Sequence, residues 1–194
     1  DHGETRRHRP PRRDHGLGDR HGAVAVMFEP ALVEQCVRLI DLCRSRNILL
    51  ATAESCTGGL IAGLITSVPG SSDVFDRGFV TYSNEAKTEM IGVPASMIVH
   101  AGAVSEDVAR AMAEGALRHS RASIAMAVTG VAGPGGGSEL KPVGLVHCAV
   151  ARRNGATQHQ ELRLGEIGRQ AVRLATVACA IEMAYTSALA PALP

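Results

Sequence analysis

The sequence predicts an α/β fold: a three-layer α/β/α sandwich around a mixed, mainly parallel sheet. Two observations predict it. Short apolar runs alternate with longer amphipathic ones in the order helix, strand, helix, strand, helix, helix, strand, strand, strand, helix. The last two strand runs are joined through Asn154-Gly155, a turn signal that adds an antiparallel pair and makes the sheet mixed.

Taken in order, residues 1–26 are a different material from the rest. The stretch from Asp1 to Arg13 is charged and Pro-containing, with no apolar side chains beyond its two prolines. It cannot bury enough surface to offset its ordering entropy, so an Arg/His-rich disordered tail is expected. Residues 27–190 are expected to form a single domain. From Pro30, Leu32, Val33, Cys36, Val37, Ile40 and Cys43 recur at helical steps, with Glu34, Arg38, Asp41 and Arg44 opposite. Ile48–Thr52 reads as a buried strand and Leu60–Ile65 as the start of a buried helix. Val68–Ser72 is a loop by composition. Gly78–Tyr82 is a strand candidate, and Asn84 is placed to cap a short helix over 85–90. Ser105 is an N-cap, with Glu106 and Asp107 complementing the dipole of a helix that runs to about Ser120. Ile124–Thr129, Leu145–Ala151 and Thr157–Leu164 read as strands, and Val172–Leu189 as a last, Ala-rich helix.

Composition narrows the function classes. The 194 residues have 45% hydrophobic and 20% charged side chains, which suits one core without staples. There is no Trp and there are only two Tyr and three Phe, which argues against aromatic platforms for single-stranded nucleic acid. Net charge is +1, so nucleic acid is not expected as a partner. No run is apolar for long enough to suggest a membrane span, and a cytoplasmic setting is expected. Cys36, Cys43, Cys56, Cys148 and Cys179 form no paired motif and read as buried free thiols. No His/Cys/Asp cluster has ligand spacing, so neither metal nor cofactor is expected. Ala-rich helix faces would suit a homo-oligomer.

The chemistry concentrates in three turns. Ala53-Glu54-Ser55-Cys56-Thr57-Gly58-Gly59 packs hydroxyls, a thiol and a carboxylate into a strand-to-helix turn, where α/β proteins bind ligands. Its glycines let backbone N–H groups approach a ligand. Ser55 there is either a helix cap or a nucleophile; the Gly-x-Ser-x-Gly elbow is absent. A serine nucleophile needs a base. His119 lies at an exposed-looking helix end and His159 on a terminal strand; His100 and His147 remain possible bases, but neither sits in a polar turn motif. Eighteen of the twenty basic residues are Arg, and Lys87 is one of only two Lys. It falls in a second junction with Tyr82, Ser83 and Asn84. Arg cannot serve as a base, whereas a desolvated Lys can. Tyr82 is placed to relay or orient the proton, or else to pack as a strand aromatic. The third turn, Thr129 to Ser138 with Gly130 and Gly133, lacks the Lys-Ser/Thr end of a P-loop but offers N–H groups for an anion. Arg169 and Arg173 are candidates to reach a phosphate.

Together with Gly78 to Lys87, Gly102 to Glu106, Thr129 to Pro134 and Lys141 to Gly144, that first turn resembles the CinA C-terminal family, over about Phe28 to Ala184. The resemblance implies hydrolysis of nicotinamide mononucleotide to nicotinate mononucleotide and ammonia, with Ser55 as nucleophile and Lys87 as base. It places Tyr82 on the family's tyrosine and Asn84, Thr129 and Gly130 on positions lining the site. Glu54, Cys56, Thr57, Gly58, Gly59, Gly133 and Arg169 complete the expected substrate contacts. The larger N-terminal domain of full-length members is absent from this sequence. The start of the last helix, usually Gly-Asp-Arg-like, reads Gly165-Glu166-Ile167-Gly168-Arg169. The alternatives are a catalytically silent nucleotide-binding module and a competence-associated protein.

Overall fold

The computed structural model describes residues 27–191. The expected tail, with its four histidines, lies outside them. The elements are α1 (Pro30–Ser45), β1 (Leu50–Glu54), α2 (Leu60–Ser67), β2 (Phe75–Val80), α3 (Asn84–Ile91), α4 (Ala95–Ala101), α5 (Glu106–Arg118), β3 (Ile124–Gly130), β4 (Leu145–Arg152), β5 (Gln158–Arg163) and α6 (Arg169–Leu189). A single 3-10 turn, Ser71–Asp73, sits in the expected loop.

The five strands lie in the order β2-β1-β3-β4-β5. β1 pairs parallel with both β2 and β3. β4 runs antiparallel to β3 and β5. The sheet is mixed, as expected, but its ladders divide two and two, so parallel pairing does not dominate. The second antiparallel pair arises because the glycine-rich segment after β3 returns the chain directly into β4 with no crossover helix.

Alternation along the strands sorts the core into two layers. Leu50, Ile124, Met126, Val128, Val146, Cys148 and Val150 face one side, with α1, α2 and α6. Ala51, Ala53, Ala125, Ala127, Ala149 and Ala151 face the other, where α5 packs with Ile91 of α3 and Ile98 of α4. α6 is long and apolar enough to cross a membrane by length and composition, but half of its most apolar window is buried against this core. Its C-terminal carbonyls are taken up by Arg46 and Arg152, which donate to Ala188, Ser187 and Ala190 at 2.7–3.0 Å. Asp76 ties β2 to the start of β3. It accepts from Arg77 and from Arg121, at 2.7 and 2.8 Å. Burial alone would push its carboxyl up, yet those guanidiniums outweigh burial and hold it at about 2.

α4 has no counterpart in the sequence pattern; it is seven residues long and follows Pro94, and its only fully covered apolar side chain is Ile98. The helix after β1 lies on one face of the sheet and the helix after β2 on the other. The carboxyl ends of β1 and β2 therefore open onto opposite layers, the position at which α/β sheets bind ligands.

Candidate active site

Ser55 follows the last residue of β1, and its N–H donates to Val128 O at 3.1 Å, which extends the ladder with β3 by one residue. Thr81 follows β2 in the same way, its N–H donating to Glu54 O at 2.9 Å. Glu54 pairs with Val80 and Val128, so Thr81, Ser55 and Thr129 stand side by side, and Thr129 in turn pairs with His147. A polar row thus crosses four strands on the face covered by α3 and α5. Below it, Phe79, Ala53, Ala127 and Ala149 make an apolar floor.

Lys87 reaches this row from the first turn of α3. It is 1% exposed, and its Nζ donates to Ser55 Oγ at 3.2 Å, to Thr81 O at 3.0 Å and to Ser83 O at 3.4 Å. None of the three acceptors is a carboxylate. Burial is the main influence and lowers the amine's pKa from 10.5, against smaller opposing effects of Cys56 and Glu85. A neutral amine has two N–H bonds, which the two backbone carbonyls can accept, and its lone pair is then left for the hydroxyl of Ser55 to donate to. The same three oxygens are poor compensation for a buried ammonium. Lys87 and Ser55 are thus a buried amine and a hydroxyl in hydrogen-bond contact, with burial favouring the amine's neutral form. Cys56 is the rival nucleophile in the turn; burial pushes its thiol up to about 11, so it is no thiolate near neutrality.

The glycine turn is arranged differently from the expectation that its N–H groups face a ligand. Glu54 is fully buried and points away from the row. Its carboxylate accepts from Thr57 Oγ1 at 2.7 Å, from Gly59 and Ile61 N at 3.0 Å, and from Ala62 N at 2.8 Å. Glu54 and Thr57 therefore hold the start of α2. Gly58 N donates to Ser55 O, and Gly58 and Gly59 have φ of 58° and 100°, which lets the chain wrap round that carboxylate. The N–H groups of Cys56 and Thr57 have no acceptor among the described residues. They lie directly after Ser55 and are the donors available to an oxyanion. Arg173 fixes this segment by donating to Cys56 O at 3.2 Å and Thr57 O at 2.8 Å. That employs the guanidinium on the turn itself.

Tyr82 is 61% exposed and forms no hydrogen bond with Ser55 or Lys87; its OH meets Arg169 at 3.3 Å. Arg169 also donates to Gly133 O at 2.9 Å. Together Tyr82, Arg169 and Gly133 form an outer bridge between the segments that follow β2 and β3. Beside it, Ala132, Pro134, Val143, Glu166, Gly168 and Arg169 line a cleft of about 180 Å³. Asn84 is exposed and opens α3, but the N-cap is Ser83, whose Oγ accepts from Ala86 N at 3.0 Å. Thr129 is 1% exposed and donates to Ala103 O at 2.8 Å. Gly130 is glycine because β4 passes close by: a Cβ there would lie 2.8 Å from Leu145 O. Among the described residues no group of His, Cys, Asp and Glu is placed to hold a metal ion.

Fold and site define an α/β domain with a serine and a buried lysine in contact at the carboxyl edge of a mixed sheet. The sequence matches the family described as CinA C-terminal domain over residues 33–188, and the chain belongs to that family. It is 51% identical to a CinA-like protein of Geobacter sulfurreducens over 141 residues, 73% of this chain and 34% of that protein. A CinA-like protein of Synechococcus sp. is 44% identical, covering 84% of this chain and 44% of its own length. The chain thus spans less than half the length of the curated relatives it matches. Among solved structures, the competence/damage inducible protein CihA from Agrobacterium tumefaciens is 54% identical, with a TM-score of 0.79 covering 80% of this chain and 94% of that one. A CinA superfamily protein from Escherichia coli is 29% identical, with a TM-score of 0.75 covering 82% and 90%.

Proposed function

We propose that this domain hydrolyses the carboxamide of nicotinamide mononucleotide, releasing nicotinate mononucleotide and ammonia, with Ser55 as nucleophile and Lys87 as its base. The observation that carries the reading is the 3.2 Å contact between Lys87 Nζ and Ser55 Oγ, with the lysine buried and hydrogen-bonded to no carboxylate. Lys87 takes the hydroxyl proton as Ser55 Oγ bonds to the carboxamide carbon. The negative charge on the former carbonyl oxygen faces the unpartnered N–H groups of Cys56 and Thr57. When the C–N bond breaks, the proton held by Lys87 leaves with ammonia. Water then attacks the acyl ester, giving its proton to Lys87, and Ser55 regains a proton as the acid departs. The outer bridge of Tyr82, Arg169 and Gly133, with the cleft beside it, supplies cationic and backbone groups for the rest of a nucleotide. Tyr82 acts in this reading at that bridge and not in proton transfer.

Replacing Ser55 by Ala is expected to abolish ammonia release from nicotinamide mononucleotide, while calorimetry still registers binding of the nucleotide. Undiminished turnover in that variant would remove Ser55 from the reaction.

A further inference from the structure

The polar row does not end at Thr129. The next side chain along it, His147, is 7% exposed, and its Nδ1 lies 2.9 Å from His159 Nε2, with the two rings stacked at 5.2 Å. On the far side, His159 Nδ1 faces Glu106 Oε2 at 3.5 Å. Glu106 in turn is held by Arg110, so a carboxylate at the start of α5 is linked through two imidazoles to the sheet position beside Thr129. Nothing in the Ser55–Lys87 chemistry uses this array.

Its protons can be placed by elimination. A carboxylate only accepts, so the proton of neutral His159 is favoured on Nδ1, towards Glu106. That leaves His159 Nε2 as an acceptor, which requires the proton of His147 on Nδ1. His147 Nε2 is then a bare lone pair. It has no protein partner, and the only sealed, unpartnered polar side-chain atoms among the described residues are the hydroxyls of Thr52 and Thr81. Nε2 is therefore not fully sealed. Two strand spacings, about 10 Å, separate His147 from Ser55 along the row. A nucleotide attacked at the carboxamide of its base has its sugar at that range.

We propose that His147 Nε2 is a hydrogen-bond acceptor for a hydroxyl of the substrate's sugar, a positioning site whose acceptor sense Glu106 imposes through His159. This rests on the amidohydrolase reading of the same site. The array also predicts how the site responds to acid. The charges acting on it are Glu106 and Arg110 of α5, Glu161 of β5, and Lys141 of the segment before β4. Burial lowers the pKa of both imidazoles from 6.5, and at 2.9 Å they cannot both be cations. The pair therefore gains a single proton as pH falls below 6.5. That proton settles on His159 beside Glu106, His159 Nε2 becomes a donor, and His147 Nε2 acquires the hydrogen. The acceptor is converted into a donor.

The test uses the Ser55→Ala protein with labelled histidines and nicotinamide mononucleotide, read by nitrogen-15 NMR. In the free protein His147 is expected to carry its proton on Nδ1, and added nucleotide is expected to shift Nε2. In the active enzyme, His147→Phe keeps the ring volume and is expected to raise KM about 2- to 10-fold, the worth of one hydrogen bond. It should also flatten the rise in KM that the acceptor-to-donor switch predicts for the unaltered enzyme below pH 6.5. Nucleotide binding that leaves the His147 signals unmoved would overturn the inference while leaving the amidohydrolase reading intact. So would a proton found on Nε2 at neutral pH. No binding at all, together with no ammonia release by the unaltered enzyme, would overturn both.

Discussion

Lys87 determines what the site can do, because its charge state decides whether Ser55 has a base. Burial lowers its pKa from 10.5, and its contacts are carbonyls and a hydroxyl. The base must be neutral to work, so kcat/KM is expected to rise with pH through the folded-state pKa and to be lost as pH falls below it. The same shift bears on folding. The native state binds fewer protons than the unfolded chain between the lowered value and 10.5, so this group makes stability increase with pH across that window. Lys87→Arg keeps the positive charge but not the basicity. It is expected to cut ammonia release by about 10²- to 10⁴-fold, with no recovery on raising the pH. An arginine variant that kept the wild-type pH profile would remove Lys87 as the base. The meeting of Ser55 and Lys87 was legible in the sequence because each is a polar residue close behind a strand, Ser55 in the turn after β1 and Lys87 in the first turn of the helix after β2. Glu54 and Tyr82 lie away from the Ser55–Lys87 contact for one shared reason, the parity of side chains at a strand end. Each is next to an inward-facing residue, Ser55 or Thr81, and so points the other way: Glu54 beneath α2, Tyr82 into solvent.

At the level of elements, the contact between the two catalytic candidates depends on α3 being pressed against α5. Gly115 allows it, since a Cβ at that position would stand 2.1 Å from Ile91 O, a backbone atom that cannot swing aside. Gly115→Ala would raise helix propensity by up to about 1 kcal/mol in an isolated helix. Here it is expected to lower the melting temperature, because α3 must separate from α5. Calorimetry checks the stability. A loss in kcat larger than the change in KM would show that Lys87 moved with its helix; a variant more stable than the parent would refute the packing argument. The strongly periodic elements α1, α5 and α6 were readable from side chains alone. α4 was not, since seven residues with one covered side chain leave no period to detect. The cap of α3 was displaced by one residue because Ser83 and Asn84 are both good capping residues. The backbone angle at Ser83, φ −87° and ψ 167°, decides between them.

For the whole molecule, the sheet has two unlike faces, and the site depends on the thinner one. Its antiparallel half was partly legible, through the turn at Asn154-Gly155. The direct return from β3 into β4 was not, because a glycine-rich segment does not reveal which way the next strand runs. The large apolar side chains of β1, β3 and β4 face α1, α2 and α6, whereas below the polar row the residues these strands turn towards α5 are all alanines. An alanine floor lets α5 lie close to the sheet, and α5 in turn supports α3 and the Lys87 it carries. Ala127, in the central strand, tests this. Ala127→Leu adds volume to a closed layer, and overpacking of this kind costs about 1–3 kcal/mol. At roughly 2–4 °C per kcal/mol for a domain of this size, the melting temperature should fall by several degrees. Lifting α5 should also lengthen the Lys87–Ser55 contact and reduce kcat. Met112 is the largest fully buried side chain that α5 sends to the same layer. Shortening it to Ala in the Ala127→Leu background returns the volume, so the pair is expected to recover both stability and kcat relative to Ala127→Leu alone. If the double variant regains its melting temperature but not its turnover, the spacing of the layers is not what brings the lysine to the serine.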